Sequence, residues 1–305
     1  ALSETSCIEP DVGWGILRTG DGPTDAALFL DYGLHAGGHG HPDRLNVIYY
    51  DHGAEMVTDL GYLGWGHPIH PWMRTTLSHN QVIVDGKPIG RAGGQLEAFS
   101  GNGPIQGLVA SAPDVYENAE IYRRNLIFVN HGRDGRYVVD LFHVRGGSDH
   151  QYAFHGNSET FNPPSLDYES IDPTTLGDGA TGYGWLQEAK RAETADDFTC
   201  KWSTDQHPDL QTRLHMLAAS DTELVHAKAP GLRDRGNPFG SRDLYVSITR
   251  RPGPENHFLS LFEVARDGVG VQSVRELQTD NEHVRALEIT VGDFTDIAII
   301  ADERA

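Results

Sequence analysis

Sulfur, positive charge and helical patterning are all scarce in this 305-residue chain. Its two cysteines, Cys7 and Cys200, are too few for a disulfide framework. They read as two independent thiols rather than one long-range bridge. Lys and Arg number 24 against 44 Asp and Glu, a formal charge of −20. A general nucleic-acid binder needs a basic face to neutralise phosphates, so that class is disfavoured. No run approaches the roughly 18 apolar residues of a membrane-spanning helix. The chain opens on Ala1, with no charged segment leading into an apolar one, so the sequence is expected to start inside a larger or processed polypeptide.

Gly (35) and Pro (16) are abundant instead, which is poor helical material but suits short strands joined by turns. Runs rich in β-branched and aromatic residues recur at 27–32, 45–50, 55–59, 81–85, 120–129, 136–144, 211–217, 243–249, 257–264, 271–277, 283–291 and 294–301. In RYVVDLFHV, Tyr137, Val139, Leu141 and His143 share one face, and Val138, Asp140, Phe142 and Val144 the other, as in half-buried strands. Asp85-Gly86, Asp134-Gly135 and Asp267-Gly268 are expected at hairpin turns. The pattern predicts an all-β chain, a large antiparallel β-sandwich of stacked sheets. Residues 1–305 read as one domain. The polar stretch 157–181 marks either a subdivision or, preferably, a long surface loop.

Seven of the sixteen histidines lie between residues 35 and 79. GGHGHPD (37–43) carries His39 and His41 on a glycine-rich segment that a ligand can approach closely. Asp59 ends EMVTDLGY, and His79 lies in RTTLSHNQVIVDG. His41, Asp59 and His79 are 18 and 20 residues apart, lengths at which a strand, turn and strand return to one end of a sheet. Two imidazoles and a carboxylate make a plausible zinc set. A solvated His-rich loop and hydrogen-bonded buried histidines are the plainer alternatives. His67 and His70 stand as spare ligands. Arg44, Arg74, Lys87 and Arg91 flank the cluster and can attract a polyanion. Arg74 is the first candidate, although surface charge explains each one singly. Trp65 and Trp72 can stack on sugar rings or simply pack.

From Gly15 to about His155 the chain resembles the β-sandwich part of the heparinase II/III-like polysaccharide lyases. The resemblance is carried by GILRTGDG (15–22), FLDYGLHAGGHGHPDRLNVIYYDHGAEMVTDLGY (29–62), RTTLSHNQVIVDGKP (74–88), and RRNLIFV with YVVDLFHVRGGSDHQYAFHG (123–156). It implies that His39 lies in the active-site cleft, with a structural zinc held by His41, Asp59 and His79. Arg74, in the matched RTTLSHN segment, and Trp65 are the substrate-binding candidates. Asp43 and Asn46 match recurrent positions of unassigned role, as does His155. It further implies β-elimination on uronate-containing anionic polysaccharides, in a secreted or periplasmic setting. The family places an N-terminal (α/α) toroid before the sandwich, with the catalytic tyrosine and much of the cleft. Nothing in this chain can be that toroid, so activity is expected only together with it. Tyr62 is a weaker candidate participant, more simply a structural aromatic.

Three other readings compete. HGHPD begins like the HxHxDH signature of metallo-β-lactamase-like hydrolases, but Arg44 stands where His is required, and the alternating helices are lacking. A non-catalytic zinc-stabilised sandwich that binds carbohydrate or packs on a partner is the second. A uronate C5-epimerase, which starts with the same proton abstraction, is the third.

Overall fold

The computed structural model describes residues 5–34, 40–61, 63–217, 219–233 and 240–302. Among these the chain is built almost wholly from strands, and every strand pairing is antiparallel. No helix is long and apolar enough to cross a membrane.

The chain begins as a five-stranded meander: β1 (Cys7–Glu9), β2 (Trp14–Arg18), β3 (Ala27–Asp31), β4 (Val47–Asp51) and β5 (Ala54–Val57). Two large sheets follow. The first has eight strands in the order β12 (Thr160–Asn162), β15 (Phe198–Thr204), β16 (His207–Met216), β19 (Glu255–Arg266), β10 (Arg136–Arg145), β9 (Ile121–Asn130), β8 (Ile105–Ser111) and β7 (Gln95–Ser100). The second has six: β13 (Glu169–Ser170), β14 (Gln187–Thr194), β17 (Thr222–Arg233), β18 (Ser241–Pro252), β11 (Asp149–His155) and β6 (Val82–Val84). A three-stranded sheet of β20 (Val271–Leu277), β21 (Val284–Val291) and β22 (Phe294–Ala301) ends the chain.

The main core lies between the eight-stranded sheet and the other two large layers. Phe128, Val138 and Phe142 meet Tyr49 and Leu30 on one side and Tyr152, Phe154 and Leu224 on the other. The far face of the eight-stranded sheet is covered too: Tyr137, Val139 and Leu141 pack on Leu287, Ile289 and Val291 of the small sheet. β10 therefore has the expected alternation, but both faces are buried rather than one. A strand sandwiched by two layers needs apolar groups on both sides. The outer face of the six-stranded sheet is closed by irregular chain, with Trp72, Leu77 and Tyr183 on Val225, Val246 and Ile248.

Of the three Asp-Gly pairs, Asp134-Gly135 lies in the β9–β10 loop, where Gly135 O accepts from His131 N at 3.2 Å. Asp267-Gly268 forms a tight two-residue turn, with φ of 51° and 82°. Asp85-Gly86 also turns with positive φ at both residues, yet β6 pairs with β11 and not with the strand that follows, so it links no hairpin. Gly86 serves a close approach instead: an added Cβ would lie 2.6 Å from the Cα of Gly177. That contact seats 157–181 on the six-stranded sheet, and the segment adds edge strands β12 and β13 to the two large sheets. Cys7 and Cys200 are both free thiols, Cys200 buried.

Candidate metal centre and adjoining cleft

Three chain segments bring the candidate ligands together. His41 lies in the loop joining β3 to β4, and Asp59 two residues past the end of β5. His79 follows the single 3-10 turn Thr76–Ser78 ahead of β6. The His41 loop is set by Leu45, a bulky residue at φ 63°, a conformation that persists only when its surroundings hold it. Its side chain is fully buried, and its N–H donates to Asp31 O at 2.7 Å. Arg44 is buried as well, donating to the carbonyls of Gly33 and His41 and to Asp43. It therefore braces the loop and is not the exposed cation its position suggested.

His79 Nε2 is 3.3 Å from His41 Nδ1 and 3.4 Å from Asp59 Oδ2, and His41 Nδ1 is 3.7 Å from Asp59 Oδ1. Zinc bonds of about 2.0–2.2 Å place tetrahedral ligand atoms about 3.3–3.6 Å apart; the two imidazole nitrogens, and His79 with one Asp59 oxygen, stand at that spacing, while His41 faces the other Asp59 oxygen slightly farther off. The protons agree. His79 Nδ1 is 2.9 Å from Thr75 O, so that nitrogen carries the hydrogen and Nε2 turns a bare lone pair inward. Asn46 Nδ2 donates to Asp59 Oδ2 at 3.2 Å, and Gly61 N to Oδ1 at 2.7 Å. One proton on His41 Nδ1 cannot serve His79 Nε2 and both Asp59 oxygens at once; a cation can. Burial pulls the His79 imidazole below its ordinary pKa, against the pull of Asp59. His41 is lowered too, by burial and then by His79. Both are thus held in the ligating, neutral form.

Asp43 belongs to the same group. Burial pushes its carboxyl up to about 6, with Arg44 opposing. It stands as a fourth donor beside the triangle. His67 and His70 do not join: His70 Nδ1 lies 2.6 Å from Leu63 O, and His67 Nδ1 accepts from Ile69 N at 3.3 Å. His39 and Tyr62 lie outside the described residues.

Arg74 and Trp65 are neighbours, the guanidinium carbon 5.3 Å from the indole centroid. Trp65 is 62% exposed and also lies against the His70 ring. The Nε of Arg74 is buried without a hydrogen-bond partner. Trp72, by contrast, is fully buried and donates to Pro230 O at 2.6 Å, a core residue. A cleft of about 400 Å³ adjoins Asp59, lined by Trp14, Phe29, Asp31, Asp43, Glu55 and Asp59. Burial also raises the Asp31 carboxyl to about 6, with Asp43 adding to the effect.

The residues that sequence reasoning missed lie behind the ligands. Asn80 Oδ1 accepts from His155 N, while Asn80 Nδ2 donates to Val47 O and Thr58 O. Asn80 N donates in turn to Asn46 Oδ1, so one amide ties all three ligand segments. Beneath it, buried Arg124 donates to Leu45 O and Asn80 O, both at 2.6 Å, and pairs in a fork with Asp140. The signal was present: Arg124 shares a strand face with Tyr122, Leu126 and Phe128, so its polarity breaks an apolar stripe.

Comparison with known proteins bears on the family and the fold. The profile of the family described as "Heparinase II/III-like, C-terminal" matches residues 9–222. An alginate lyase of Stenotrophomonas maltophilia (strain K279a) is 24% identical, over 96% of this chain and 43% of its own length. An exo-oligoalginate lyase of Saccharophagus degradans is 37% identical over 81 residues, 23% of this chain and 11% of its own. Among solved structures, the heparan sulfate lyase HepC of Pedobacter heparinus superposes with a TM-score of 0.72 at 13% identity, over 99% of this chain and 43% of that one. The chain thus spans less than half the length of these relatives. With the profile matching most of the chain, the chain belongs to the heparinase II/III-like family, as its C-terminal β-sandwich region.

Proposed function

We propose that this chain is the β-sandwich half of a polysaccharide lyase that cleaves uronate-containing polymers by β-elimination, with alginate the first substrate to try. The convergence of His41, Asp59 and His79 to 3.3–3.7 Å within a family of named lyases carries the reading. The alginate preference rests on the two sequence relatives.

In the proposed reaction a base removes the C5 proton α to the uronate carboxylate. The C4–O bond breaks, a C4=C5 double bond forms, and an acid protonates the departing oxygen. The C5 proton is weakly acidic while the carboxylate is a full anion, so a cation must face that carboxylate. Arg74, whose guanidinium lies beside the exposed Trp65 ring, is the candidate for that task. Trp65 offers an exposed ring for a sugar. His39, two residues before His41, is assigned to the cleft as base or as stabiliser of the developing anion. A tyrosine from an N-terminal (α/α) toroid is the proposed partner acid. His41, Asp59 and His79 would hold zinc, which supplies charge that fixes the cleft wall. A secreted or periplasmic location is proposed with the polymer substrate.

The test uses the full-length protein containing this chain, with alginate and heparan sulfate as substrates. Ultraviolet absorbance of the unsaturated uronate should rise. H39A should abolish turnover while retaining zinc, and H41A or D59A should lose about one zinc per chain. C5 proton exchange without the chromophore would mean an epimerase. Retardation in affinity electrophoresis with neither would mean a binding module. Zinc content unchanged in H41A and D59A would remove the metal assignment.

A further inference from the structure

The proposed reaction makes no use of the cleft beside Asp59. That cleft lies on the face of the five-stranded sheet turned away from the main core. Trp14 pairs across the sheet with Asp31, Phe29 with Ile48, and Tyr50 with Glu55. These side chains share one face, whereas Leu30 and Tyr49, one residue out of phase, belong to the core. A volume of about 400 Å³ is in the range of small-molecule sites.

Its lining combines an aromatic face with carboxylate acceptors. Trp14 is 44% exposed, and its indole N–H donates to Asp31 Oδ2 at 3.1 Å. Asp31 Oδ1 in turn accepts from Gly33 N at 2.9 Å, with Arg44 at 3.3 Å, so the ring is braced from the loop that carries His41. Half-buried Phe29 and Ile48 extend the apolar floor. Glu55 is exposed; its Oε1 accepts from the Thr58 hydroxyl, and among the described residues nothing donates to Oε2. A sugar ring has the matching chemistry, with C–H groups to lay on an indole and hydroxyls to offer to carboxylates. Among the described residues that line the cleft there is no Lys, Arg or His. Arg44 is buried behind Asp31, and Arg18 stands 6.0 Å from the Phe29 ring without lining the cleft. An added anion would therefore meet carboxylates and no exposed partner.

We propose that this cleft is a sugar subsite that reads the C2–C3 hydroxyl edge of a uronate ring, with Trp14 as its platform and Glu55 as its charge filter. In a uronate the C5 carboxylate lies on the opposite edge of the ring from the C2 and C3 hydroxyls. The ring can seat its hydroxyls at Glu55 and Asp31 while its own carboxylate points out. Rings bearing sulfate at O2 or O3 are rejected by like charge. The inference rests on the reading of the chain as part of a uronan-acting enzyme, and it narrows the substrate class to unsulfated uronans.

The test takes the full-length protein containing this chain, with alginate and with alginate sulfated at O2 and O3. Binding is read by retardation in affinity electrophoresis, and turnover by absorbance of the unsaturated uronate. Sulfated alginate should bind at least about tenfold more weakly than alginate. E55Q removes the charge and keeps the shape, so it should close most of that gap. W14A should weaken binding of plain alginate by about tenfold; if W14A fails to fold, E55Q decides. Equal binding of the two polymers, no binding of either, a gap unmoved in E55Q, or wild-type alginate binding in folded W14A would overturn the proposal. Discrimination in binding with no chromophore would keep the subsite and remove the lyase reading. Chromophore formed equally from both polymers would do the reverse.

Discussion

Two buried polar centres lie a few residues apart in this molecule, and their chemistry is opposite. Arg124 directs its five N–H groups at five acceptors: both Asp140 oxygens, Leu45 O, Asn80 O and the Tyr152 hydroxyl. Tyr152 in turn donates to Asp140 Oδ2 at 2.8 Å. Donors and acceptors balance, so that centre needs nothing from outside. His41, Asp59 and His79 instead turn acceptors toward one another, with a single proton among them. One centre is scaffold and the other is a socket, and burial alone does not tell them apart; the donor count does.

The largest effect should come from unbalancing the scaffold. R124A would strand a buried carboxylate and two carbonyls, a loss of about 3–5 kcal/mol, read as a lower urea midpoint. R124M/D140L/Y152F, which removes the charged pair and the phenol together, should recover the share due to the stranded carboxylate but not that of the two backbone carbonyls, since a well-packed apolar replacement of a buried pair is commonly near neutral. A loss below about 1 kcal/mol in R124A would mean that the network is not closed.

The socket should respond to metal where the scaffold does not. With zinc at 100 to 1,000 times its dissociation constant, binding stabilises the fold by about 3–4 kcal/mol. A chelator should therefore lower the melting temperature of the wild type and leave D59A unmoved. Equal shifts in both would sink the distinction. Smaller again is N46A, which removes the amide that orients Asp59. Zinc affinity should fall by about 10–100-fold while the ligand set stays intact, measurable by competition with a chromophoric chelator.

The two centres also differ in how far the sequence disclosed them. Socket residues stand in glycine- and histidine-rich loops, where chemistry-bearing side chains interrupt turns, and their motifs are visible. Scaffold residues are single polar letters inside strands, marked only by phase. Arg124 and Asp140 could have been paired by noting that both face the same apolar layer. Strands show the same limit. β10 is legible because both its faces are largely apolar, giving a near-continuous apolar run. β14, QEAKRAET, buries only Ala189 and Ala192, so a polar edge strand of this kind carries almost no periodic signal. β17 contains Pro230 and Gly231, which read as a break, and the ladder does shift register there. The hairpin of β4 and β5 turns on His52-Gly53, with φ of 53° and 89°. That pair was hidden by the expectation that Asn or Asp precedes Gly.

The smallest effect concerns acid, and it separates metal loss from simple burial. His226 on β17 sits between Phe161 and Tyr168, with neither ring nitrogen hydrogen-bonded. Burial first, and Lys190 second, bring its pKa down to about 4. The unfolded chain takes a proton near 6.5, whereas the folded chain resists until about 4. Below pH 6.5 the unfolded state therefore binds more protons, and stability falls as pH falls. This one imidazole accounts for about 2 kcal/mol of that fall by pH 5. H226L should flatten the acid limb of urea stability by that share. His41 and His79 pull the same way, but their share is tied to the metal and should change when a chelator is present. His226 has no such tie, so the difference between H226L and wild type should persist with chelator. If it vanishes there, the acid sensitivity belongs to the socket alone.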